Sequence, residues 1–168
     1  MSSFINTVDV IGDDALTDSI IDRSVAEYTD NNITTVGYNA FYGCSLLRRV
    51  VLPKVDTLYS SAFEKCTSLE VADFTALSSI GSMSVFLGCN ALTALILRNT
   101  SKFVGMGFNN ILNGTPIQSG TGYIYVPSAL VDSYKTATHW STFATQFRAL
   151  EDYTVDGTTT GALDPGKI

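Results

Sequence analysis

The sequence predicts a β-rich solenoid of about five coils, each contributing one short parallel strand, closed at its C-terminal end by two short helices. Three observations carry this. A phrase of about 22 residues recurs three times in register, and each copy ends in a short apolar alternation. A helix-periodic, aromatic-rich stretch then follows the last copy. Composition agrees: 45% of the 168 residues are apolar but only 15% are charged, against the roughly 25% usual in globular chains. Such a chain has much to bury and a polar, weakly charged surface.

The copies read "ITTVGYNAFYGCSLLRRVVLP" (33–53), "VDTLYSSAFEKCTSLEVADFT" (55–75) and "LSSIGSMSVFLGCNALTALILR" (77–98). Phenylalanines fall at Phe41, Phe63 and Phe86, cysteines at Cys44, Cys66 and Cys89. The spacing is 22 and then 23, because the third copy carries one extra residue between Ile80 and Phe86. After each cysteine comes Leu-x-x-apolar-x-apolar: Leu47/Val50/Leu52, Leu69/Ala72/Phe74 and Leu92/Leu95/Leu97. A period of 20–29 with this phrase is the leucine-rich-repeat signature. The alternating stretch is a strand with one face in and one out. The rest of the coil turns the chain and returns it one strand spacing along, about 4.8 Å. One coil cannot bury its own apolar face, whereas a stack shares one.

The flanks read as worn copies. "IGDDAL" (11–16) echoes "VGYNAF" (36–41), and "SVAEY" (24–28) predicts a first strand. Residues 1–32 therefore form an acidic cap or degenerate repeat, and 33–127 the solenoid proper. The stretch 99–121 is irregular and Gly-rich, and the strand phrase returns at Ile124/Val126/Pro127. Residues 128–150 form the cap. Ser128 is placed to cap a helix over 129–137, with Leu130, Val131, Tyr134 and Ala137 at helical spacing. Ser141 is placed to cap a second within 139–150, with Trp140, Phe143 and Phe147 on one side as core. The tail 151–168 holds Asp-Gly between two Thr-rich runs, which reads equally as a hairpin turn or a loose end.

The phrase carried by Val36, Gly37, Ala40, Phe41, Cys44, Leu47, Val50, Leu52 and Pro53, and by its successors, resembles the BspA-like, or Treponema pallidum type, leucine-rich repeat. The likeness covers roughly residues 33–127. It departs at Tyr59 (for Gly), at Val85 (for Ala) and in the third copy's insertion. Residues 122–153 also resemble the C-terminal cap of such proteins from gut bacteria and their phages. The resemblance implies a surface-displayed binding module that mediates adhesion to host proteins or other cells.

Charge and motifs exclude several classes. Seven of the sixteen acids lie in residues 1–30 beside one base, Arg23, while 31–168 hold nine of each sign. The acidic end is a solvated cap face. With no basic surface there is no footprint for nucleic acid. No apolar run approaches 18 residues, so no membrane insertion is expected. "MSSFINTVDVIGDD" lacks the basic and apolar regions of a secretion signal. Catalytic constellations are missing too. His139 stands alone beside Trp140 and reads as structural. "GALDPGKI" (161–168) mimics a phosphate loop but has Ile168 where Ser or Thr is needed. "DYTVDGTTTGAL" (152–163) mimics a calcium loop but has Leu163 where a bidentate Glu is needed. Three Asn-x-Ser/Thr triplets, at Asn32, Asn99 and Asn113, carry no weight without a secretion signal. No cofactor or metal is implied. Single cysteines 22–23 residues apart match no zinc spacing, so Cys44, Cys66 and Cys89 read, with the three phenylalanines, as a structural ladder of buried small apolar groups.

The outward strand residues are the candidate binding face: Arg49, Val51, Val71, Asp73, Ala94, Ile96, Tyr123 and Tyr125. That face serves a foreign protein partner, packs on a second copy in a homo-oligomer, or is a solvated sheet. The expected function is a non-enzymatic adhesion or assembly module, as a phage virion-surface or fibre component touching other virion proteins or the host surface. The alternative is a bacterial surface or cytoplasmic scaffold of the same repeat type. The expected location is the virion or cell exterior, after folding in the cytoplasm and release without a secretion signal.

Overall fold

The computed structural model describes residues 3–4, 10–11, 25–81, 83–155 and 158–159. The strands are β1 (Ser3–Phe4), β2 (Val10–Ile11), β3 (Glu27–Thr29), β4 (Thr35–Val36), β5 (Arg49–Leu52), β6 (Thr57–Leu58) and β7 (Val71–Phe74). They continue as β8 (Ser79–Ile80), β9 (Ala94–Leu97), β10 (Gly105–Met106), β11 (Tyr123–Val126), β12 (Phe147–Ala149), β13 (Thr154–Val155) and β14 (Thr158–Thr159). Two parallel sheets run along the stack. The large one has the order β1-β3-β5-β7-β9-β11-β12, the small one β10-β8-β6-β4-β2. The chain alternates between them, so from β3 to β10 each coil contributes a strand of three or four residues to one wall and a two-residue strand to the other.

The solenoid is thus the architecture the repeat predicts, with three differences. The return arm of each coil is itself a strand: Val36, Leu58, Ile80 and Met106 pair in register across the small sheet. Two residues are too few to show alternation in a sequence. The stack also gains a strand at each end. Ser3–Phe4 pairs parallel with Glu27–Tyr28, ahead of the strand expected at 24–28. Phe147–Ala149 pairs parallel with β11. Finally, the irregular stretch 99–121 is a full coil. Leu112 and Thr115 keep the three-residue Phe–Cys spacing, and Phe86 N–H donates to Ile111 O (3.0 Å) and Gly88 N–H to Asn113 O (3.0 Å). Its disguise is a spacing of 26 from Phe86 to Leu112 and the loss of both marker residues.

Between the sheets lies one continuous core. Phe41 stacks on Phe63 (4.8 Å between ring centres, 12° between planes) and Phe63 on Phe86 (5.4 Å, 7°). Val50, Leu52, Ala72, Phe74, Leu95 and Leu97 meet them from the large sheet. The coils turn at left-handed positions that recur in phase. Gly43 (φ 70°), Lys65 (φ 60°) and Gly88 (φ 74°) are one such set, and Asn39, Ser61 and Ser84 another. Glycine occupies this backbone region without steric cost, which is why the phrase keeps one after the phenylalanine in two of three copies.

The cap differs in detail from expectation. Helix α1 (Pro116–Ser119) closes the last coil, with Thr115 Oγ1 accepting from Gln118 N–H as its cap. Ser128 begins a 3₁₀ turn, Ser128–Leu130, that leads into α2 (Val131–Thr136), and makes no cap bond. The second expected helix is a kinked 3₁₀ stretch, Trp140–Gln146, entered through His139 at φ 65° with no Ser141 cap. It stops where Phe147 joins the sheet edge, because an open edge offers β pairing for every residue laid beside it. The aromatic stripe is core: Trp140, Phe143 and Phe147 are buried. It also satisfies the backbone of the last coil. Trp140 Nε1–H donates to Val104 O (2.8 Å), and Val104 N–H donates to Tyr134 Oη (3.0 Å). In the tail, Thr154 pairs with Thr159 and Val155 with Thr158, antiparallel. The Asp-Gly turn between them, the acidic residues 12–24 and the phosphate-loop look-alike at 161–168 lie outside the described residues, as does part of 152–163.

Candidate binding surfaces

The ladder faces inward. Cys44, Cys66 and Cys89 are buried free thiols. Cys66 Sγ donates to Phe41 O (3.0 Å) and Cys89 Sγ to Phe63 O (3.0 Å), each reaching back one coil. Burial pushes the Cys66 thiol well above its ordinary range, and the neighbouring Cys89 thiol adds to that. A thiol held neutral and spent on a carbonyl is a poor nucleophile and a poor metal ligand. Among the described residues no group of three or more His, Cys, Asp or Glu is placed to hold a metal ion.

The eight outward strand residues share one face in register. Arg49, Val71, Ala94 and Tyr123 form one row, and Val51, Asp73, Ile96 and Tyr125 the next. The face is not open, however. Val51, Asp73, Ala94 and Ile96 are buried, and Arg49, Val71, Tyr123 and Tyr125 only half-exposed. The cover comes from the chain's own C-terminal segment. Leu150 and Tyr153 pack on Ala94, Ile96, Val71 and Tyr125 as a second apolar cluster, with the Tyr153 and Tyr125 rings 4.9 Å apart. The expectation of a solvent-facing stripe is corrected accordingly: alternation sets the direction of a side chain, and a segment 50–100 residues later decides whether water reaches it.

Beneath that cover sits a buried ion pair that the sequence did not signal. Arg98 Nε donates to Asp73 Oδ1 (2.8 Å) and Arg98 Nη2 to Asp73 Oδ2 (2.9 Å). The Asp73 side chain is 0% exposed and that of Arg98 6%. Burial pushes the Asp73 carboxyl above its ordinary value, against the pull of Arg98 and, more weakly, Arg49. Beside Arg98 an open groove of about 370 Å³ is bordered by Thr75, Asn99 and Lys102. The Asn99 amide is engaged in the turn there. It donates to Ala76 O and Leu77 O and accepts from Ser101 N–H and Lys102 N–H.

The open apolar surface lies elsewhere. Among the described residues six large apolar side chains are exposed, and four of them sit one to three positions after a small-sheet strand. They are Tyr38 (44%), Tyr59 (36%), Met83 (52%) and Phe108 (44%). The small-sheet register continues into this corner. Tyr59 N–H donates to Val36 O (3.1 Å) and Gly107 N–H to Ile80 O (3.0 Å), which aligns Gly37, Tyr59, Gly81 and Gly107. A side chain at Gly107 would place its Cβ 2.8 Å from Gly81 O. Tyr59 stands where the other copies have Gly, and its ring lies 5.1 Å from that of Tyr38. That one departure from the repeat was the visible signal for this stripe. His139 contributes its backbone, as the left-handed residue between α2 and the 3₁₀ stretch.

No helix among the described residues is long and apolar enough to cross a membrane. No curated protein matches the sequence. A family model does: six copies of the BspA type leucine rich repeat region match residues 2–117. The match spans the three marker-bearing coils, reaches into the disguised one as far as 117, and takes in the N-terminal strands. By that match and by its two-walled parallel stack, the chain belongs to the BspA type leucine-rich-repeat family.

Proposed function

We propose that the chain is a non-enzymatic protein-binding module for adhesion or assembly, acting on the surface or fibre of a phage virion. Its partners are other virion proteins or a host surface protein, and its place of work is outside the cell. The observation that carries the binding role is the set of exposed apolar side chains Tyr38, Tyr59, Met83 and Phe108, which recur at the corner after the small-sheet strand in four successive coils. Exposed apolar side chains are common singly, but their recurrence at one corner of successive coils, with the Tyr38 and Tyr59 rings in contact, supports an interaction site there. Tyrosine in particular contributes large contact area at low entropic cost. Repeat modules of this family suggest protein interaction rather than chemistry. The virion version is favoured by the likeness of residues 122–153 to the caps of such proteins from gut bacteria and phages.

The test is incorporation into purified particles. The wild-type chain is expected in virions, and the Tyr38→Ser/Tyr59→Ser/Phe108→Ser variant, folded by circular dichroism, is expected to be absent from them. A wild-type chain that never enters particles removes the virion version. A variant that enters as well as wild type removes the stripe as the contact.

A further inference from the structure

Arg49 presents a contrast with Arg98 on the same face. Arg98 offers its Nε/Nη2 edge to Asp73, and both carboxylate oxygens are taken. Arg49 buries the same two atoms, Nε and Nη2, and they meet no acceptor among the described residues. Its register neighbours on β3 and β7 are Glu27 and Val71, and Glu27 forms no ion pair with it among the described residues. The C-terminal segment packs Leu150 and Tyr153 in the cluster that includes Val71, the β7 register neighbour of Arg49. A guanidinium stays charged at any pH the protein meets, and a buried donor with no acceptor carries the full desolvation penalty. Among the described residues, then, apolar packing in the Leu150–Tyr153 cluster lies beside a polar group left unsatisfied.

We propose that the Nε/Nη2 edge of Arg49 is the receptor for a carboxylate side chain on an extended, acidic segment of a partner protein, which displaces Tyr153 as it binds. The ligand chemistry follows from the geometry of the edge. Two parallel N–H groups match the two oxygens of one carboxylate, as Asp73 demonstrates on Arg98 one coil away. The site adds one charge-paired contact on the large sheet to the apolar stripe at the corner, and rests on the protein-binding reading for the source of the carboxylate.

The full chain, labelled with ¹⁵N-arginine, tests this through the Arg49 Nε–H resonance, assigned by its loss in Arg49→Lys. The probes are sodium acetate, the blocked peptide acetyl-Thr-Glu-Thr-Glu-Thr-amide, and its Gln counterpart. The Glu peptide is expected to shift the resonance saturably in wild type and to bind at least tenfold tighter in Tyr153→Ala. Acetate is expected to shift it weakly, and the Gln peptide not at all. Saturation by acetate at the peptide's affinity would replace the protein segment with a free carboxylate and overturn the partner. Three results would overturn the site: no saturable shift in Tyr153→Ala with either acid, an equal response to the Gln peptide, or a shift of the same size caused by Glu27→Gln without any probe. None of these touches incorporation through the corner stripe, so the two readings fail separately.

Discussion

The outer face of the large sheet and the corner after the small sheet differ in a way the repeat hides. The sheet face has the longer strands, the cleaner alternation and more polar residues, yet much of it is covered by Leu150 and Tyr153. The corner has no alternation at all, yet it exposes Tyr38, Tyr59, Met83 and Phe108. Periodicity reports which way a side chain leaves its own strand. Whether that side chain meets water depends on chain laid over it from elsewhere. In a solenoid this matters more than usual, because each coil contacts only its neighbours and the terminal segments are the parts free to fold back across a wall.

The largest expected effect lies under the cover. Asp73→Ala takes both acceptor oxygens from Arg98 and leaves its guanidinium buried, and removing one partner of a buried pair costs about 3–5 kcal/mol. Urea unfolding measures this, and a loss below about 1 kcal/mol would mean that water reaches the pair. Replacing both partners, Asp73→Leu with Arg98→Met, is expected to restore most of the loss. The pH dependence has a definite sign. The native Asp73 carboxyl holds its proton more tightly than the unfolded one, chiefly through burial. Its contribution to stability is therefore full at low pH and falls as pH rises from the ordinary carboxylate value near 3.9 through the raised native value. Asp73→Asn should remove that component of the pH profile.

The cover itself gives an intermediate effect. Tyr153 is buried against Tyr125 and Ile96, in a cluster separate from the main core. Tyr153→Ala is expected to cost about 1–3 kcal/mol, the range for withdrawing one aromatic side chain from a peripheral contact. Trp140, the single tryptophan, is buried in the main cluster. Its native emission should stay unchanged while the unfolding midpoint falls. A changed native spectrum would mean that the cover and the inner core are one cooperative unit, and the contrast between the two faces would lose its meaning.

Much of this was legible from residues alone, and the limits have physical causes. The solenoid, the Phe41–Phe63–Phe86 stack and the inward set Val50/Leu52, Ala72/Phe74 and Leu95/Leu97 follow from period and alternation. The coil holding Leu112 and Thr115 escaped because substitution by volume preserves packing while erasing the markers. The 3₁₀ geometry of Trp140–Gln146 escaped because its aromatic spacing suits either kind of helix. The buried Asp73–Arg98 pair spans 25 residues, a distance across which sequence spacing carries no pairing information without the coil register. Tyr59 was different. It was visible as an irregularity in the repeat, and its meaning, a ring added to an exposed corner, required only the register of β4, β6, β8 and β10.

The smallest expected effect tests that corner. Tyr38, Tyr59, Met83 and Phe108 are 44%, 36%, 52% and 44% exposed, so replacing each by Ser gives up only part of a full side-chain burial. Surface substitutions of this kind fall within about ±0.5 kcal/mol. The Tyr38–Tyr59 ring contact has a structural stake, since an aromatic pair adds about 0.5–1.5 kcal/mol when well packed. At 5.1 Å between centres and 47° between planes, with both rings exposed, its share should lie at or below the low end. A double-mutant cycle on Tyr38 and Tyr59 isolates it. A coupling above about 1 kcal/mol would make the stripe a stabilising element of the coil stack. A coupling near zero removes that stabilising role, and incorporation of the serine variant into particles then decides whether a partner covers the corner.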